Sequence, residues 1–268
     1  MIRVFWSAWE PVTPRGVAAF ARANVRRLWL VQFVMACVVA ASVVWWLHLG
    51  VFPTVSAAIE KLPDTGVIRN ATLDWNAQDP MPLAEGKFLA VAVDLSHDGG
   101  ARSPADFQVE FGHDGFIVCS LLGCANFSYP KGWWIAFNRT EVLPKWGAWE
   151  KPALGLAAAA VVVGLMMTWQ ILATLYMFPV WLLGYFANRR LTIGGSWKLA
   201  GAAMMPGALV MFAAILLYER RALDLLPMTF AFAGHLVLSW IYLLISPWFV
   251  PPVVEAVEAA KNPFTKSQ

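Results

Sequence analysis

The chain has 268 residues, of which 59% are hydrophobic and only 14% charged, against about 25% charged in an ordinary soluble domain. So few charges cannot wet the surface of a globule, and a mean hydropathy of +0.58 makes a bilayer the natural solvent. The net charge of +3 is too small to suggest nucleic acid as a partner.

Residues 1–27 read as a cytoplasmic N-terminal segment. Within it Val17, Phe20 and Val25 can point toward lipid while Arg15, Arg22 and Arg26 meet headgroups; a plain extension of the first span accounts for them equally well. Residues 28–51 form the first predicted transmembrane helix, with Gln32, Ser42 and His48 as its polar members and Trp45 and Trp46 near its far end, as an interfacial belt would be. Val55-Ser56-Ala57 resembles a signal-peptidase site, but the apolar run is longer than a secretory signal carries, so an uncleaved anchor is expected. Cys37 lies in this span and reads as buried and inert.

Residues 52–151 change character. A short helix over Val55–Leu62 ends at Pro63, followed by strand-like runs at Val67–Leu73, Phe88–Leu95, Phe107–Phe111, Phe116–Leu122 and Trp133–Phe137. The alternation Phe107-Gln108-Val109-Glu110-Phe111 predicts a strand with one buried and one wet face. Asp114-Gly115 suits a tight hairpin turn. Together these predict a small, mostly antiparallel β-domain inserted between helices one and two. Cys119 and Cys124 are close enough in sequence for a bridge, and the charge argument below puts them where disulfides persist. The sequons at Asn70, Asn126 and Asn138 carry glycans only in a eukaryotic secretory pathway, and the Ala-, Val- and Trp-rich composition reads as bacterial.

Residues 152–253 carry three more predicted spans, Ala153–Phe178, Leu199–Tyr218 and Leu226–Phe249, and residues 254–268 form a tail. After Ala153–Phe178, Pro179 either kinks a tilted helix that continues to Ala187 or turns those residues along the interface. The predicted fold class is thus a membrane α-helical bundle of four transmembrane helices with one extracytoplasmic β-domain. The N-terminal segment, the loop with Arg189, Arg190 and Lys198, and the tail hold ten basic and three acidic residues, while Phe52–Lys151 holds eight basic and twelve acidic ones. The positive-inside rule then puts both termini in the cytoplasm of a bacterial inner-membrane protein. Arg220 and Arg221 dissent, and Glu219 and Asp224 are expected to pair with them locally.

Within the spans, His235 is the sharpest candidate for chemistry, because an ionisable group at mid-membrane is costly. Gln170 and Thr174, one turn apart on span two, and Gln32 on span one are its candidate partners in an intramembrane polar site; a neutral imidazole hydrogen-bonded to another helix is the plainer reading. The turns His97-Asp98-Gly99 and His113-Asp114-Gly115 invite a metal, but turn chemistry explains Asp-Gly without one, and neither a metal site nor a cofactor is expected. Small residues four apart, at Ala36/Ala40, Ala160/Gly164 and Ala203/Gly207, permit close helix contact. There is no phosphate-cradling glycine loop, nucleophile elbow or zincin helix, so no catalytic residue is assigned.

The segments Ala57-Ala-Ile-Glu-Lys-Leu-Pro63, Phe88-Leu-Ala-Val-Ala-Val-Asp94 and Leu199-Ala-Gly-Ala-Ala-Met-Met-Pro206, in this order of parts, resemble an uncharacterised family of bacterial four-span membrane proteins, some labelled maltodextrin-utilisation proteins, with a Yip1-like bundle. The resemblance implies the same architecture and no catalytic residues. The expected function is a non-enzymatic envelope protein whose outer domain binds, senses or braces. Its bundle would serve as an anchor in the lipid bilayer or join other subunits of a membrane complex. A transport component with a polar path near His235 is the alternative, and a membrane-embedded enzyme using His235 or the His-Asp-Gly turns comes last.

Overall fold

The computed structural model describes residues 11–253; the tail and Arg3 and Glu10, used in the charge argument, lie outside them. Among the described residues, four helices are long and apolar enough to cross a membrane: Val25–Glu60, Arg139–Phe186, Ile193–Glu219 and Leu225–Phe249. Compactness divides the chain into two units. One holds the described residues up to Ser42 with Ala158–Ile215 and those from Pro227 on; the other holds Val43–Ala157 with Leu216–Leu226.

In the first unit, helix α1 (Pro14–Phe20) begins where Thr13 Oγ1 accepts the Gly16 amide and Pro14 occupies the first turn, where no N–H is needed. The chain turns after α1, and α2 (Val25–Trp46) starts afresh. This corrects the lipid-facing amphipathic helix: Val17 and Phe20 are 0% exposed, and α1 packs on α5 (Ile193–Ala203) and on the 3-10 turn Ser246–Phe249. Arg15 lies over the Phe249 ring at 5.5 Å. The basic loop is tied in beside it, with Arg189 donating to Val250 O, the Arg190 amide to Pro251 O, and Lys198 Nζ to Ala23 O at 2.7 Å. Helix α6 (Met205–Glu219) continues from α5 after Met204, and α7 (Leu225–Ile245) follows.

Of the small-residue pairs, Ala36 and Ala40 are buried, and Ala203 is buried one turn before Gly207. A Cβ on Gly207 would meet His235 O at 2.6 Å, whereas Gly164 faces nothing within 4 Å and Ala160 is exposed. Cys37, expected buried, is exposed on α2.

In the second unit, a π-helical turn Leu47–Val51 carries α2 into α3 (Phe52–Glu60). A three-stranded sheet has the order β2-β1-β8 from β1 (Val67–Arg69), β2 (Thr72–Asp74) and β8 (Trp134–Ala136). A five-stranded sheet runs β3-β4-β5-β6-β7, from β3 (Met81–Glu85), β4 (Leu89–Val93), β5 (Phe107–Phe111), β6 (Gly115–Ser120) and β7 (Gly123–Ser128). The predicted single run Val67–Leu73 is in fact a hairpin, turned by Asn70 and Ala71 in the left-handed region. All pairings are antiparallel except β4 with β5, which is parallel. Ala58, Leu62, Ile68, Leu73, Val93 and Phe137 belong to one buried core.

Helix α4 (Arg139–Phe186) starts well before its apolar run and continues through Pro179, so the turns after Pro179 extend the same helix. Asn138 caps it, accepting the Glu141 amide at 2.9 Å while its own Nδ2 donates to Gly66 O. That commits the Asn138 sequon to structure, while Asn70 and Asn126 are exposed. Asp224 does not pair with its arginine neighbours; it accepts from Lys87 Nζ at 2.9 Å, which also donates to Leu223 O.

Because Gly207 abuts backbone, Gly207→Ala should lower bundle stability by about 1–3 kcal/mol. Gly164→Ala should stay within about 0.5 kcal/mol of the parent. Reversible unfolding in mixed detergent measures both.

Candidate functional site

Strand β5 sets the chemistry of the domain, and it does so against the simplest reading of its alternation. Its polar residues are the covered ones: Gln108 and Glu110 are each 8% exposed, while Phe107, Val109 and Phe111 are half-buried.

The polar face is covered by the connection 94–106, which joins the parallel strands β4 and β5. Gln108 accepts the Ser103 amide at 2.9 Å and donates to Ala101 O at 2.9 Å and to Glu110 Oε2 at 3.2 Å. His97 Nδ1 donates to Glu110 Oε1 at 2.6 Å. Asp94, 2% exposed, accepts the Gly100 amide and the Ser96 hydroxyl. A cavity of about 590 Å³ opens beside this network, with His97, Arg102, Glu110, Cys119 and Cys124 among its walls. Both oxygens of Glu110 and the whole Gln108 amide are already engaged, so these two side chains pin the connection. The predicted disulfide is present, with Cys119 and Cys124 directly opposite across the β6–β7 hairpin. His113 belongs to the other His-Asp-Gly turn and pairs with Asp114 at the surface. Among the described residues no three His, Cys, Asp or Glu side chains gather as metal ligands would.

The apolar face of the sheet looks into a second cavity, of about 480 Å³, within the range of about 300–1,000 Å³ typical of small-molecule sites. Val55 and Ile59 of α3, Val91 of β4, Val109 and Phe111 of β5, and Ile135 of β8 contribute to its wall. No charged side chain is present there, and its one hydroxyl, on Tyr129, donates to Gly112 O at 3.0 Å. Burial first, then the Asp114 charge, hold the Tyr129 phenol well above its ordinary value, so it stays a neutral donor.

Inside the apolar helices the structure joins part of the predicted polar site. Gln170 Nε2 donates to Gln32 Oε1 at 2.8 Å, and Gln32 Nε2 donates to Gly201 O at 3.2 Å. The carbonyl at the end of this chain can only accept, so it fixes both amide orientations and leaves Gln170 Oε1 without a partner. Thr174 donates to Gln170 O and accepts from Trp197 Nε1 at 3.2 Å. His235 is not joined to this set: its Nδ1 lies against Phe232 O of its own helix, and its ring against the Phe232 ring at 5.0 Å. The lining of the apolar cavity was not singled out from sequence as a site; of the His97–Glu110 pair, His97 was noted in its His-Asp-Gly turn and Glu110 only in the β5 alternation.

No family model, curated protein or solved structure matches the chain, so the site rests on its own geometry.

Gln32→Leu strands both Gly201 O and the Gln170 amide. It should cost the bundle about 0.6–1.7 kcal/mol, as interhelical hydrogen bonds between membrane helices do, read as a lower unfolding midpoint in detergent.

Proposed function

We propose that the chain is a non-enzymatic, four-span protein of a bacterial inner membrane, with both termini in the cytoplasm, and that its β-domain is an extracytoplasmic binding module whose site is the apolar cavity. The observation that carries this reading is the inverted burial of β5. A domain in water gains about 25 cal/mol per Å² by covering apolar surface, yet this one covers Gln108 and Glu110 and leaves Val109 and Phe111 facing an open cavity. A ligand that fills the cavity resolves the imbalance.

Membrane insertion is supported by the four apolar helices, and the orientation by the basic segments. Arg15, Arg189 and Lys198 fall in the unit that holds α1 and the 187–192 loop, while the loop with Asp224 belongs to the β-domain's unit. The transport alternative has less support, since Gln32, Gln170 and Thr174 bond to neighbouring helices and His235 to its own.

Two measurements test the proposal. A small neutral photolabel, 3-(trifluoromethyl)-3-phenyldiazirine, applied to the purified protein in nanodiscs, should modify Val109, Phe111 or Ile135 as well as lipid-facing helix residues, with peptide mass spectrometry locating the adducts. Val109→Trp should reduce the cavity adducts at least fivefold; labelling confined to the helices in the parent protein would remove the binding site. In a Cys37→Ser background, an impermeant maleimide should reach Lys131→Cys in intact cells and Arg190→Cys only after permeabilisation. The reverse pattern would invert the topology.

A further inference from the structure

We infer that the cavity takes a single unbranched acyl chain from a bilayer phospholipid, with the headgroup left outside the cavity. The inference rests on the apolar cavity being the binding site.

Three observations select this occupant. The first is polarity. A peptide would bring backbone N–H and C=O groups that need partners, and the wall has a single hydroxyl, already given to Gly112 O. A carboxylate or phosphate would meet no cation there. Water gains nothing from such a wall either, because it needs two or more polar partners to settle. What remains is hydrocarbon.

The second is size. A cavity of about 480 Å³ has room for one small ligand or hydrocarbon chain.

The third is supply. Two wall elements are continuous with apolar spans along the chain. Val55 stands four residues after Val51 within the unbroken helical stretch Val25–Glu60, and Val142 lies in the same helix as the apolar run that begins at Ala153. At 1.5 Å per residue these separations are about 6 and 17 Å along a helix axis, within the reach of an acyl chain leaving the outer leaflet.

The test uses the full-length protein in nanodiscs doped with a phosphatidylcholine that carries a diazirine in the distal half of one palmitoyl chain. Cavity adducts at Val91, Val109, Phe111 or Ile135 are expected. They should fall at least fivefold in Val109→Trp and in Ile135→Trp, which fill the space from different sheets, with near-ultraviolet circular dichroism showing that each variant keeps its fold. Unlabelled phospholipids in the same bilayer should displace the label better as their acyl chains lengthen, until the cavity is filled, and no better beyond that. If the small aromatic label enters the cavity but the acyl label does not, the ligand class is wrong while the binding module stands. If a photoreactive free palmitate labels the cavity and the phospholipid does not, bilayer supply is wrong and the inference falls. If none of the three probes labels it, the inference and the binding module fall together.

Discussion

The parallel pairing of β4 with β5 constrains everything else in the β-domain. Antiparallel neighbours can be joined by two residues, but parallel ones need a connection of about a dozen that returns across a sheet face. Here that connection is 94–106, and it contains no helix or strand to satisfy its own backbone. Its amides turn to side chains: Gly100 to Asp94, Ser103 to Gln108, and Leu95 to Asp79. Gln108 and Glu110 are buried because they anchor this stretch. The polar face of the sheet is thereby used for covering the connection, and α3, the small sheet and the start of α4 are left to the apolar face. They cover it only in part, and the uncovered part is the cavity.

The helices that frame the cavity owe their course to local chemistry. Pro53 has no amide hydrogen to donate, so a regular α-helix could not pass through it fully bonded. The chain meets it with the wider turn Leu47–Val51 and starts α3 with proline in its first turn, where the missing donor costs nothing. Such wide turns are common where a helix serves a site. At the other end of the domain, Asn138 fixes where α4 begins and holds it to the loop before β1 through Gly66.

What the sequence disclosed follows from how local each signal is. A run such as Ala153–Phe178 has no charged residue and no other solvent to suit it, so the four apolar helices were legible. Phe107–Phe111 was legible as a strand because alternation belongs to the strand itself, but which face is buried depends on the 94–106 connection, which no local pattern encodes. Two strands escaped. Strand β3 contains Pro82 and a register shift between Pro82 and Ala84, tolerable only because it is an edge strand. Strand β7 is exposed along its length and carries no alternation. The β1–β2 turn puts Ala71 at φ 65°, a conformation alanine does not advertise. The Cys119–Cys124 bridge was legible because its partners are five residues apart. The Gln32–Gln170 bond was half legible: polarity marked both residues, but only packing could show that they meet each other and leave His235 to its own helix.

The two units are held by different forces in the proposed setting. The β-domain gathers its core because water expels it. Inside a bilayer that drive is absent between helices, and close packing and hydrogen bonds must serve instead. Burial is distributed accordingly: the most apolar window of Ile193–Glu219 is 61% buried, against 11% for those of Arg139–Phe186 and Leu225–Phe249. The buried helix is also the one rich in small residues, with Gly201 against Gln32, and Gly207 against the backbone of α7. It forms the centre on which the others pack, and Gln32 ties it to α4 through the one orientation its amide can take. Thr174 and Trp197 add a second tie between the same two helices. A bundle closed in this way uses its Gln32 and Gln170 amides chiefly for cohesion, with Gln170 Oε1 left unpartnered. The larger apolar cavity lies in the β-domain, about 480 Å³ against about 390 Å³ beside Gln170 in the helical unit, and that difference favours the proposal that binding belongs to the β-domain.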